Sequence, residues 1–219
     1  PWCYEELWKR LESLMKIALD KLGRRFNREW IFKNIDYTFE QGQSYAILGI
    51  NGSGKSTLLQ VLSGALTPSS GSLTYTLNNQ KVDAEDIYKH LIIAAPYLEL
   101  IEEFTLLEVL NFHFQFKLRK QNLDNNALVK LLGMEASQNK QLKYFSSGMK
   151  QRVKLILAFC SDVPILMLDE PTANLDEQGI KWYLQLIKEF TQNQLVIICS
   201  NQEHEYSFCQ YQINIKDYK

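Results

Sequence analysis

Cysteine is scarce and scattered in this sequence: Cys3, Cys160, Cys199 and Cys209 form no C-x-x-C pair. That spacing argues against a zinc ribbon or a dithiol redox centre and leaves free thiols in a reducing compartment as the expectation. No apolar run reaches the ~18 residues that would span a bilayer, and no secretory signal is visible. A role at a membrane would therefore need another polypeptide to cross it. Neither sign of charge is in excess: 24 basic residues meet 25 acidic ones, a net charge of −1. Affinity for phosphate backbones needs a basic surface, so no nucleic-acid partner is expected. Internal repeats and low-complexity tracts are also missing. What is present is a 46% apolar composition in 219 residues, enough for one sizeable core.

Hydrophobic periodicity divides the chain. Trp2, Tyr4, Leu7, Trp8, Leu11 and Leu14 fall at helical spacing, so residues 1–14 are expected to be an amphipathic extension, appended or from an upstream start, ahead of a domain over 15–219. A strand-like opening is expected from Met15-Lys16-Ile17, and strands at Ile31–Phe39, Tyr45–Leu48, Leu73–Leu77, His90–Ala95, Ile165–Leu168 and Leu195–Cys199. Helices are expected over Lys55–Leu62, from the capping-box spacing of Thr105 and Glu108 to about Lys117, over Leu123–Leu132 with Gly133 as terminator, over Gly148–Phe159 and over Glu177–Phe190. Thr67-Pro68-Ser69-Ser70-Gly71 reads as a breaker cluster and Asn78-Asn79 as a turn. Alternating strands and helices imply an α/β protein with a mainly parallel sheet covered on both faces.

Between the strand Tyr45–Leu48 and the helix from Lys55 lies Gly49-Ile50-Asn51-Gly52-Ser53-Gly54-Lys55-Ser56-Thr57, which satisfies G-x-x-x-x-G-K-[ST] in the context that gives the pattern meaning. Glycines let the backbone curl its N–H groups inward around a triphosphate, and the helix start adds its positive end. Lys55 supplies a point charge for the outer phosphates, and the Ser56 hydroxyl is a hard-oxygen ligand for Mg²⁺. The expected ligand is therefore ATP with Mg²⁺.

Ile165-Leu166-Met167-Leu168-Asp169-Glu170-Pro171 is an apolar strand that ends in two acids. Acids at the tip of a parallel strand sit in the crevice where such sheets bind ligands. Asp169 suits the metal, and Glu170 suits the orientation or deprotonation of an attacking water. Ser146, Ser147 and Gly148 open another helix and make a second anion site. In one subunit, however, that helix start cannot easily face the same phosphates from the opposite side.

Taken in order, Gly49–Thr57, Phe145–Met149 and Ile165–Glu170 resemble the Walker A, signature and Walker B motifs of the ATP-binding subunits of ABC transporters, and the likeness runs from about Ile17 to Lys219. It implies a P-loop NTPase fold with a mainly parallel core sheet, a small antiparallel β subdomain and an α-helical signature subdomain over about 98–160. It also implies that Phe26 stacks on adenine, and that Ala173-Asn174-Leu175-Asp176 forms the loop after Walker B, bringing Asp176 to the nucleotide. Two such subunits would sandwich ATP head to tail, as a homodimer or heterodimer. Each signature would then reach the nucleotide of the other copy, which answers the geometric problem of the isolated helix. The resemblance further implies docking to an integral membrane permease, on the cytoplasmic face of the cell membrane.

Three positions depart from the family pattern. The signature reads FSSGM rather than LSGGQ, and its SSGMKQR form is similar to the ATPases of compact two-component exporters. Tyr97 stands where the family has a glutamine near the metal, and a phenol is a poorer ligand there. Asn201 stands where the family has a histidine on the γ-phosphate: its amide can donate a hydrogen bond but cannot carry charge or shuttle a proton. His204 is expected on the turn that follows. A soluble, non-transport ATPase or a weakly hydrolysing regulatory module stays open beside the transport reading.

Overall fold

The computed structural model describes residues 14–120 and 123–219. A long antiparallel hairpin opens the chain, β1 (Met15–Phe26) and β2 (Glu29–Glu40), followed by β3 (Ser44–Leu48), α1 (Lys55–Leu62), β4 (Ser70–Leu77) and β5 (Gln80–Val82). Then come β6 (Leu91–Ala94), three helices α2 (Leu106–Phe116), α3 (Asn125–Leu132) and α4 (Ser147–Phe159), and β7 (Ile165–Asp169). The chain finishes with α5 (Glu177–Phe190), β8 (Leu195–Ser200), the short α6 (Glu203–Tyr206) and β9 (Tyr211–Asn214). Two sheets result: an antiparallel one in the order β2-β1-β4-β5 and a parallel one in the order β6-β7-β8-β3-β9.

Side chains alternate across the parallel sheet and divide the core in two. Leu166 and Leu168 of β7, with Val196 and Ile198 of β8, face a cluster built with Leu110, Leu128, Ile156 and Tyr183 of the helices. Ile165 and Met167, with Leu195 and Ile197, face the opposite cluster, which α1 and the antiparallel sheet complete. Every residue of β7 and β8 is buried, the pattern of strands covered on both faces.

Most element expectations hold to within a few residues. Thr105 caps α2 and exchanges both bonds of the box with Glu108, and Gly133 ends α3 in a left-handed conformation at φ 65°. The breaker cluster is corrected. Ser70 and Gly71 belong to β4, where a side chain on Gly71 would come within 2.4 Å of the Asp20 and Lys21 carbonyls; the glycine serves close strand approach rather than chain reversal. His90 falls in a one-turn helix ahead of β6. Strands β5 and β9 and helix α6 have no counterpart among the expectations. Of the extension expected over residues 1–14, only Leu14 is among the described residues, half-exposed ahead of β1.

The close packing of the sheet predicts that Leu166→Ala, on a fully buried side chain, lowers the unfolding free energy by about 2–5 kcal/mol. Chemical denaturation checks this, and a loss below about 1 kcal/mol would mean that the face collapses around the truncation.

Candidate functional site

The parallel sheet ends on one rim. Because β3, β7 and β8 run in the same direction and pair in register, the segments after Leu48, Asp169 and Ser200 emerge side by side. The first is the phosphate loop. It carries positive φ at Gly49 (153°), Gly52 (75°) and Gly54 (108°). A Cβ on Gly54 would stand 2.3 Å from the Ile31 side chain, so neither the backbone nor the space admits another residue. Gly54 is also the N-cap of α1 and offers no side-chain bond, leaving the first N–H groups of the helix to a ligand. Ile50, Asn51 and Gly52 are exposed on the outer turn, and Thr57 follows Ser56 in the first turn of α1.

Two features of the loop point to an anion. Lys55 is only 4% exposed, and its Nζ donates to the carbonyls of Gly49 at 2.9 Å and Ile50 at 3.3 Å. A buried ammonium held by carbonyls alone gains from a negative partner. Ser53, 3% exposed, carries a buried hydroxyl with no hydrogen-bond partner among the described residues. It is the kind of orphan that a phosphate oxygen would satisfy.

Asp169, at the tip of β7, is 2% exposed. Burial holds its carboxyl above the ordinary carboxylate range and the neighbouring charges of Glu170 and Glu205 add to the rise, while the Ser56 hydroxyl and Lys55 oppose it. Ser56 and Asp169 thus form a hydroxyl–carboxylate pair next to the ammonium. Among the described residues no group of three His, Cys, Asp or Glu is assembled for a metal. A hard cation that keeps its waters and binds phosphate oxygens needs only one or two protein oxygens, so this donor set fits Mg²⁺.

Glu170 sits at φ 42°, a left-handed conformation that costs a non-glycine residue about 1–3 kcal/mol and persists only where its surroundings impose it. Its N–H donates to Cys199 O at 2.9 Å and its carbonyl accepts from Ala173 N at 3.0 Å. The strain turns the chain sharply at the end of the strand, beside Asp169. Asn201 donates through Nδ2 to Asn51 Oδ1 at 3.0 Å, which joins the loop after β8 to the phosphate loop. Tyr97 is 44% exposed; burial around its hydroxyl, with the Asp169 charge next, pushes the phenol up to about 12, against a lowering contribution from Gln60 of α1. Tyr97 therefore stands neutral near the acid.

The remaining candidates are more distant. Phe26, 48% exposed, ends β1 with the Arg24 guanidinium 4.8 Å from its ring centroid. Its hairpin tip adjoins the phosphate loop through the Ile31–Gly54 approach. Ser146 caps α4 by accepting from Met149 N at 3.2 Å, Ser147 is exposed beside it, and a Cβ on Gly148 would meet the Asn174 carbonyl at 2.8 Å. Asp176 accepts from Gly179 N at 2.8 Å as the cap of α5, so in this single copy its carboxylate is engaged at a helix end. His204 lies in α6 rather than on a free turn and meets Thr172 Oγ1 at 2.9 Å. Sequence reasoning missed Glu205, a fully buried carboxylate in α6, because acids in a polar run carry no mark of burial.

Comparison with known proteins agrees with this geometry. Residues 32–173 match the family model described as ABC transporter. An uncharacterized ABC transporter ATP-binding protein of Bacillus subtilis is 32% identical over 196 residues, spanning 86% of this chain and 87% of that protein. Among solved structures, a dimeric bacterial ABC transporter cassette superposes with a TM-score of 0.76 at 24% identity, covering 91% of this chain and 94% of its own. A dimeric ATP-binding cassette in a post-hydrolysis state with ADP and Pi does so with a TM-score of 0.76 at 23% identity, covering 92% and 94%.

An acid whose folded pKa is raised destabilises the fold at neutral pH, and the cost is relieved as pH falls through that pKa. Asp169→Asn is therefore expected to stabilise the ligand-free chain by about 0.5–2 kcal/mol, measured by denaturation at pH 7. A lower midpoint would mean that Ser56 and Lys55 outweigh burial.

Proposed function

The chain belongs to the ABC transporter family, and we propose that it binds and hydrolyses Mg-ATP as one half of a head-to-tail dimer that powers a membrane permease. The observation that carries this reading is the meeting, on one rim of the parallel sheet, of a buried lysine in a glycine loop with Ser56, Asp169 and Glu170. The N–H groups of Gly49 to Thr57 and the Ser53 hydroxyl receive the phosphates, and Lys55 neutralises the outer two. Ser56 and Asp169 would hold Mg²⁺, which when bound spreads the charge of the phosphates. Glu170 orients a water and takes its proton as the oxygen joins the γ-phosphorus and ADP leaves. Asn201 donates to the γ-phosphate from the side of β8. Tyr97, being neutral, holds a water rather than the metal itself. Phe26 offers its face to adenine.

Ser146, Ser147, Gly148 and Asp176 serve the nucleotide held by the second copy. Ser146 caps α4 and Gly148 carries no side chain to cover the helix start, so its backbone N–H groups are open to that nucleotide. Among the described residues no helix is long and apolar enough to cross a membrane; in this reading a permease makes the crossing and the ATP-binding subunit docks on its cytoplasmic face. Outward transport is the direction that the SSGMKQR form favours, through its likeness to compact exporters.

Glu170→Gln is expected to retain ATP binding while phosphate release falls by about 10²–10⁴-fold, and with ATP it elutes as a dimer on size exclusion. Lys55→Ala loses binding and release together. Release by Glu170→Gln at the parental rate contradicts the assigned base, and a monomer with ATP demonstrably bound contradicts the sandwich.

A further inference from the structure

The segment that carries Glu170 and the segment that carries Asn201 are tied by a buried carboxylate outside the motifs. Glu205 is fully buried in α6. Its Oε1 accepts from Thr172 N at 2.8 Å and from Thr172 Oγ1 at 2.5 Å, and its Oε2 accepts from Ser200 Oγ. Thr172 follows Glu170 by two residues, and Ser200 precedes Asn201. The backbone of Glu205 is held as well: its N–H donates to Gln202 O at 3.0 Å, and its carbonyl accepts from the Tyr183 hydroxyl of α5 at 2.9 Å. With Thr172 Oγ1 donating to the carboxylate, the same oxygen accepts from His204 Nε2 at 2.9 Å.

The tie continues in both directions. Gln151 of α4 donates through Nε2 to Pro171 O at 2.8 Å, a buried bond, and Asn201 reaches Asn51 of the phosphate loop. A path of hydrogen bonds therefore runs from the signature helix through Pro171 and Thr172 to Glu205, and on through Ser200 and Asn201 to the loop around Lys55. All three donors to the carboxylate are N–H or O–H groups of neighbouring segments. A glutamine there would turn an NH₂ toward one of them.

We propose that Glu205 is a positioning residue for ATP hydrolysis: it locks the left-handed turn at Glu170 to the end of β8, so that base and γ-phosphate donor meet the nucleotide as one unit. The inference rests on the ATPase reading above. A residue that served stability alone would, once the variant folds, leave turnover at saturating ATP unchanged, so the separation of kcat from nucleotide affinity decides its role.

Phosphate release and equilibrium binding of a fluorescent ATP analogue are measured on the full chain beside Lys55→Ala, with folding checked by thermal melting. Glu205→Gln is expected to lower kcat about tenfold while the nucleotide Kd stays within about twofold. Thr172→Val keeps the backbone donor and the side-chain shape, and it decides the matter if Glu205→Gln does not fold: a fall in kcat of about threefold or more at unchanged Kd supports the tie. Unchanged kcat in either folded variant overturns it, as does parallel loss of kcat and affinity. If the parent itself shows no Lys55-dependent release, the ATPase reading falls and takes this inference with it. Lys55-dependent release that is equal in parent and Glu205→Gln overturns the inference alone.

Discussion

Parallel pairing of β7 with β8 and of β8 with β3 is the constraint on which the rest depends. The two strands buried on both faces have no room for polar side chains along their length, so chemistry can begin only where they stop. Together with the end of β3 they make three neighbouring strand ends, and each turns in its own way. After β3 the turn is made by glycines, after β7 by a glutamate forced into a left-handed backbone, and after β8 by a serine–asparagine pair. The apolar core fixes the register of the strands, and the register fixes which polar residues become neighbours.

The site is costly to the isolated fold in several places at once. Lys55 and Asp169 are buried charges, Ser53 carries an unsatisfied hydroxyl, and Glu170 is strained. Strain and unmet polar groups concentrated at one rim are what a fold retains when a ligand relieves them. Glu205 shows the opposite economy: a buried carboxylate with each oxygen occupied, joining the strained turn after β7 to the end of β8 without a ligand.

Much of this was legible in the residues. Apolar runs marked β3, β7 and β8, the first followed by glycine and the second ending in acids, and the order of the three motifs marked the family. What escaped detection had physical causes. Strands β5 and β9 are short and mostly exposed, so their side chains show no alternation for a period to reveal. Gly71 looked like punctuation because a glycine that permits close strand approach and one that reverses the chain are the same letter. Glu205 sits in Gln202-Glu203-His204-Glu205-Tyr206, where only tertiary packing separates a buried acid from solvated ones. Tyr97 and Asn201 were visible as departures, but their meaning depended on neighbours, Gln60 and Asn51, that lie far away in the chain.

The signature residues give the account its shape: Ser146 caps its own helix, and Gly148 leaves no room for a side chain before the Asn174 carbonyl. The central claim is that each site takes its phosphate loop from one copy and its signature from another. Mixing two inactive chains tests it most directly: Lys55→Ala, which spoils the loop, and Gly148→Asp, which spoils the signature. A mixed pair contains one site with both lesions and one with neither. Phosphate release that appears only on mixing is the predicted result, and a mixture no more active than its separate components would contradict the composite site.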